Sequence, residues 1–160
     1  MTMRATPLAI SSIGLLAAWL GASLLVAAVV APAAFAVLPT RTLAGALVGR
    51  VLPVIFWSGM ALGVVIAVLG SRMGLGRFGF VSSIVLALAS AAAQIGVAPR
   101  IEALRASIGG AVDALDVTDP RRMAFGRMHG ISVLLMGVGI IAAAVALVAL
   151  ARHLSSRSIG

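Results

Sequence analysis

Four stretches of this chain carry no Asp, Glu, Lys or Arg: residues 5–40, 51–71, 78–99 and 128–151. Each reaches the roughly 20 residues that an α-helix needs to cross a hydrocarbon core. In lipid every backbone N–H and C=O must be satisfied within the protein, which restricts spanning segments to helices and closed barrels. These runs are rich in Leu, Val, Ala and Gly, and they lack the short in/out alternation of outer-membrane strands. The sequence therefore predicts an all-α integral membrane bundle of four transmembrane helices, at about residues 8–38, 51–71, 78–99 and 120–151. One four-helix domain accounts for residues 1–160, and no repeat between the halves points to an inverted-repeat transporter design. Composition agrees, because 62% hydrophobic and 10% charged residues with a mean hydropathy of +1.20 exceed what a soluble domain of this length can hide.

The first run is longer than one span and ends in VVAPAAFAVLP, residues 29–39. Ala34-Phe35-Ala36 has the small-x-small look of a signal-peptide cleavage site. The uncharged stretch from Leu8 to Ala31 is, however, much longer than the roughly 7 to 15 residues of a signal-peptide core. A retained helix is expected, kinked near Pro32 by the missing N–H and closed by Pro39.

Charge sits between the apolar runs. All twelve basic residues are Arg, against one Glu and three Asp, for a net charge of +8. Arginines at helix ends snorkel to lipid phosphates, so anionic lipid is the expected companion. No basic stretch is interleaved with stacking aromatics, which argues against a nucleic-acid partner. Four spans put both termini on one side of an inner or plasma membrane, with Arg4, Arg72, Arg77, Arg152 and Arg157 there. Arg41, Arg50, Arg100, Arg105, Arg121, Arg122, Arg127 and all four acids fall on the other. Counting bases favours the second group as cytoplasmic while the first helix favours the first, so the side stays open. Cysteine is absent, which rules out disulfides and thiolate metal sites.

The most polar region links the third and fourth spans. If the third helix continues past Pro99, then Gln94, Ala98, Glu102 and Arg105 share one face by three-to-four residue spacing. Gly109-Gly110 ends that helix. Asp119-Pro120 reads as an N-cap followed by proline at the first helical position, opening a fourth helix with Arg122, Phe125, His129, Ser132 and Met136 along one side. Gln94, Arg100, Glu102, Arg105, His129 and Ser132 are the candidate polar site. A carboxylate within a membrane needs a partner, and His129 could donate, carry a proton or ligate a metal. Interfacial anchoring is the competing explanation.

Other patterns carry less. Gly74, Gly76 and Gly79 match G-x-G-x-x-G but occupy a helix–helix link rather than a strand-to-helix turn. Met123, Met128 and His129 contain soft ligands, yet methionine in an apolar chain is mostly packing material. His129 and His153 lie 24 residues apart on one helix, about 36 Å, too far to share a haem. Asp113, Asp116 and Asp119 read as a solvated acidic loop. No metal and no cofactor is expected from these residues, and no catalytic grouping. Small residues at four-residue spacing, including Gly45/Gly49, Gly59/Gly63 and Gly126/Gly130, predict close helix packing, with Gly59, Gly63 and Gly126 as candidate contact points.

The segment AWLGASLLVAAVVAPAAFAVLPTRTLAGALVGRVLPVIFWSGMALG, with VAPRIEALR and FGRMHGIS, resembles the small four-helix transmembrane protein 205-like family. The resemblance runs from Trp19 to about Ser132. It rests on Pro32 and Phe35 at the first-helix exit, Gly45, Gly49 and Pro53 leading into the second helix, and Pro99 and Arg100 after the third. Phe125, His129, Gly130 and Ser132 open the fourth. This chain departs from the pattern at Leu52, where an aromatic residue is usual, and at Leu134, Leu135 and Met136, where relatives carry an Asn. The resemblance implies a four-helix fold and no established reaction; some relatives are linked to drug or metal resistance.

Three functions are compatible with these features. The first is a non-enzymatic protein acting by helix association, as accessory subunit of a larger membrane complex or as a homo-oligomer. The second is a small transporter or exporter with a polar site around Glu102 and His129. The third is a metal- or redox-cofactor-binding membrane protein.

Overall fold

A computed structural model describes residues 5–158, so Arg4 of the terminal-side basic group lies outside the described residues. Four long helices follow in order. Helix α1 spans residues 5–37, α2 spans Arg41–Met73, α3 spans Arg77–Ile108 and α4 spans Pro120–Ser158. No strand occurs among the described residues. Consecutive helices pack side by side and α4 closes against α1, while diagonal pairs barely touch, which is an up-and-down bundle with short links. The protein is thus a multipass membrane bundle of the predicted class.

The helices outrun the predicted spans. A helix of 33 residues such as α2 is about 50 Å long, against a hydrocarbon core of about 30 Å. Helix α2 begins at Arg41 rather than residue 51, because Arg41 and Arg50 end an apolar run without ending a helix. Thr40 sets the true start, its Oγ1 accepting from the Leu43 N–H at 3.2 Å. Helix α3 continues past Pro99 to Ile108, and α4 runs seven residues beyond 151. Glycine in the left-handed region ends two of them: Gly74 at φ +73°, followed by a Leu75 N–H bond to the Gly70 carbonyl, and Gly109 at φ +66°.

Prolines widen two helices instead of breaking them. Residues Val26–Val30 form a π turn in which the Ala31 N–H reaches back to the Val26 carbonyl, just before Pro32. Residues Ala92–Val97 form another, with Ala98 N–H on the Ala93 carbonyl, just before Pro99. A proline has no N–H and its ring presses on the carbonyl four residues earlier; a five-residue bond accommodates both faults and keeps the helix running. The predicted kink at Pro32 therefore appears as a wide turn one step earlier in the chain.

Lipid offers no hydrophobic drive for helix pairing, so close packing has to come from small side chains. A Cβ on Gly63 would stand 2.6 Å from the Ser83 carbonyl oxygen and 2.7 Å from the Ala87 nitrogen, so α2 and α3 meet backbone to backbone. A Cβ on Gly59 would meet Ser90 Oγ at 2.6 Å and the Trp19 ring at 2.7 Å. Trp19 fills that notch and donates from Nε1 to the Ile55 carbonyl at 3.0 Å, joining α1 to α2. Gly126 was expected among these contacts, yet a Cβ there, or on Gly130, would meet nothing within 4 Å. Four-residue spacing places small residues on one face but does not say which face meets a neighbour. Large apolar side chains such as Leu15, Val54, Leu88 and Ile141 point outward, as lipid-facing positions do.

Candidate functional site

At the Arg-rich end of the bundle the four helices splay around a cavity of about 450 Å³. That volume lies in the range of small-molecule sites. Its walls are Val48, Leu52, Pro53 and Phe56 from α2, Ala98 and Ile101 from α3, and Phe35 from the exit of α1. Gln94, Glu102 and Arg105 of α3 and Phe125, His129 and Ser132 of α4 supply the polar and aromatic part. Gln94, Ala98, Glu102 and Arg105 do share one face, and that face lines the cavity.

Arg105 is the best-anchored charge at the site. Its Nη1 donates to Glu102 Oε1 at 3.2 Å, its Nη2 donates to the Gly45 carbonyl at 3.3 Å, and its guanidinium carbon lies 5.6 Å from the centre of the Phe125 ring. The guanidinium can lie flat on α2 because Gly45 and Gly49 have no side chains; a Cβ on either would stand 3.2 Å from it. These glycines thus accommodate an arginine rather than a second backbone. Phe125 in turn stacks parallel to His129, one turn on, at 6.4 Å between ring centres.

The candidates separate by depth. Glu102, expected as a buried carboxylate, has a side chain 67% exposed and sits at the rim, paired with the more enclosed Arg105. His129 is exposed while lining the cavity, and Ser132 is buried. Arg100 points outward and does not line the cavity, since it follows Pro99 on the opposite side of α3 from Gln94 and Glu102. Gln94 lies deepest. Its Oε1 is buried with no hydrogen-bond partner, and the residue lies within the π turn of α3. Pro53 also lines the cavity, and lacking an N–H it leaves the Gly49 carbonyl without its usual helical donor.

The α3–α4 connection closes the polar end. Asp113 on this loop pairs with Arg41 at 3.9 Å, and both residues line the cavity. From sequence, Asp113 reads as part of a solvated acidic loop and Arg41 as one of the interfacial bases, but their pairing is not legible, because the pair joins residues far apart in the chain with no local pattern. Asp119 caps α4 as expected, accepting from the Arg121 N–H at 2.8 Å and from its guanidinium at 2.9 Å. Those bonds hold the Asp119 carboxyl down at about 2. The Thr118 hydroxyl and N–H lower Asp116 in the same way. Arg122 donates to the Leu115 carbonyl at 2.7 Å, fixing the loop to the start of α4.

Among the described residues no group of three His, Asp or Glu side chains gathers as metal ligands would. His153 is remote from His129, with its Nε2 3.1 Å from the Met73 carbonyl oxygen at the other end of the bundle. Gly74 of the G-x-G-x-x-G match serves as a helix stop.

No curated protein and no solved structure matches this chain. Residues 14–109 match the family described as a domain of unknown function, DUF4149. The match covers three of the four helices and stops at Gly109, the left-handed residue that ends α3. It spans more than half of the chain, and the protein belongs to the DUF4149 family of uncharacterised function.

Proposed function

We propose that this protein is a non-enzymatic membrane carrier that holds a small molecule in the cavity at the Arg-rich end of its bundle. The observation that carries the reading is the cavity itself, about 450 Å³ with apolar walls and a few convergent polar groups, Gln94, Arg105 and Ser132 among them. The residues behind the likeness to transmembrane protein 205-like proteins support it. Phe35, Gly45, Gly49, Pro53, Phe125, His129 and Ser132 all border this one space. We take the DUF4149 match and that likeness to describe one family. No cofactor enters this reading, and anionic lipids surround the Arg-bearing helix ends. Antiparallel crossings of an inner or plasma membrane would leave both termini on the same side.

The test is a thermal-stability screen of the protein in nanodiscs against small apolar and amphipathic compounds. Wild type should show saturable stabilisation by a subset of them, and Ala98→Phe, which fills the cavity, should show none. Equal responses of both proteins would defeat the proposal.

A second reading, helix association as accessory subunit of a larger complex or as a homo-oligomer, is favoured by α4. Gly126, Gly130 and Gly137 are open, with nothing within 4 Å of a Cβ at any of them. Native mass spectrometry from mild detergent distinguishes the two. Fixed-stoichiometry assemblies lost in Gly130→Leu would favour association, and a monomer carrying small molecules would favour the carrier.

A further inference from the structure

Arg41, Glu102, Arg105 and Asp113 bring charge to the cavity lining, and they differ in how far water reaches them. Arg105 is the most enclosed, its side chain 31% exposed against 48% for Asp113, 67% for Glu102 and 78% for Arg41. A charge screened less by water interacts more strongly with a partner, so the strongest electrostatic contact open to a ligand comes from a cation. The guanidinium is also held in place without Glu102. It lies on the bare backbone at Gly45 and Gly49, donates to the Gly45 carbonyl at 3.3 Å and stands 5.6 Å from the centre of the Phe125 ring. Of its five N–H groups, one is used on that carbonyl and one on Glu102. The others meet no acceptor among the described residues.

Glu102 is the replaceable partner. It accepts a single bond at 3.2 Å from a side chain that is mostly in water, and such an exposed pair contributes little. An incoming carboxylate or phosphate can take two guanidinium donors at once, which is the stronger geometry. Deeper along α2 and α3 the walls turn apolar, with Leu52, Phe56 and Ile101. A held cation at the mouth above an apolar interior is complementary to an amphiphile.

Resting on the carrier reading, we propose that the cavity binds an amphiphile with an anionic head, which pairs with Arg105 in place of Glu102 while its apolar body lies along Leu52, Phe56 and Ile101. A free fatty acid and an anionic membrane lipid both carry this chemistry.

Three matched fluorescent probes test the proposal: 1-naphthoate, an anion; its methyl ester; and 1-naphthylmethylammonium. Each is titrated into the full-length protein in neutral phosphatidylcholine nanodiscs, and its affinity is compared between wild type and variants, so that partition into lipid cancels. Arg105→Gln should weaken the naphthoate about tenfold or more, the loss expected for a charge-assisted hydrogen bond, and leave the ester unchanged. Glu102→Gln should tighten the naphthoate by up to about fivefold, because the competing carboxylate is gone. Arg100→Gln removes the same charge from outside the cavity and should change nothing. Bound naphthoate should be displaced by added laurate if the source is a free acid, or by phosphatidylglycerol built into the disc if it is a membrane lipid.

An unchanged naphthoate affinity in Arg105→Gln, weaker binding in Glu102→Gln, or an equal loss in Arg100→Gln overturns the ligand class. Displacement by neither laurate nor phosphatidylglycerol overturns it as well. If the probes bind and Ala98→Phe abolishes them, with no response to Arg105 or Glu102, only the ligand class falls. If no probe saturates, or Ala98→Phe changes nothing, the carrier reading falls with it.

Discussion

The glycines of this chain sit in different surroundings, and substitution separates them. At Gly63 the neighbour is backbone, which cannot swing aside, so Gly63→Leu should force α2 and α3 apart and cost about 1–3 kcal/mol or more, read as a lower unfolding temperature in detergent. Gly126→Ala should be neutral or stabilising by up to about 1 kcal/mol, because it gains helix propensity and meets nothing. Gly45 and Gly49 are neither kind: they make room for the Arg105 guanidinium. Trp19→Phe should keep most of the packing but lose the bond to the Ile55 carbonyl, costing about 1 kcal/mol by the same measurement. Asp119 makes the stability of the α4 start depend on pH. Its carboxyl is held below its ordinary value of 3.8, so its contribution is complete above that pH and disappears as pH falls through about 2. The difference in unfolding temperature between wild type and Asp119→Asn should shrink across that window; a constant difference would show that the carboxylate charge is irrelevant to the cap. The types of these residues were visible in the sequence. Their partners were not, since a four-residue repeat is identical whether it meets a helix, an arginine or lipid.

The π turns before Pro32 and Pro99 shift the phase of everything that precedes them. Replacing Pro99 by a residue with an N–H should let Ala92–Val97 wind as ordinary α-helix, which turns Gln94 away from the cavity. The chain has no cysteine, so a single Gln94→Cys can be followed by its rate of reaction with a thiol reagent. That rate should differ several-fold between proteins carrying proline and alanine at position 99. Equal rates would mean that proline does not set the phase. Helix existence was readable from charge-free runs, whereas helix ends were not. Arg41, Arg50, Arg100 and Arg105 mark where lipid ends, and a helix that projects beyond lipid tolerates charge. The true ends came from Thr40, Gly74, Gly109 and Asp119, of which the last two were recognised by their cap and stop chemistry.

For the whole molecule, the up-and-down order puts Ser71 and Asp113 at opposite ends of the bundle. In sealed vesicles, Ser71→Cys and Asp113→Cys should react with a membrane-impermeant thiol reagent from opposite sides. Labelling of both from one side would refute the arrangement in the membrane. The cavity belongs to this scale as well, since all four helices and the α3–α4 loop contribute to it. The family match ends before α4, yet α4 brings Phe125, His129 and Ser132 to the shared space.

Apolar run length, with the rule that lipid-embedded backbone must satisfy itself, determined the four helices and their class from the sequence by itself. Spacing along one helix likewise put Gln94, Ala98, Glu102 and Arg105 on a common face. Which face turned inward, that Glu102 stands at the rim while the Oε1 of Gln94 is sealed from solvent, and that Arg41 meets Asp113 were decided only by the tertiary structure. The reason is physical: helix period is a local property of the chain, whereas burial and pairing depend on how helices distant in sequence are rotated against one another. That rotation is set here by a few glycines, one tryptophan and two proline-induced wide turns.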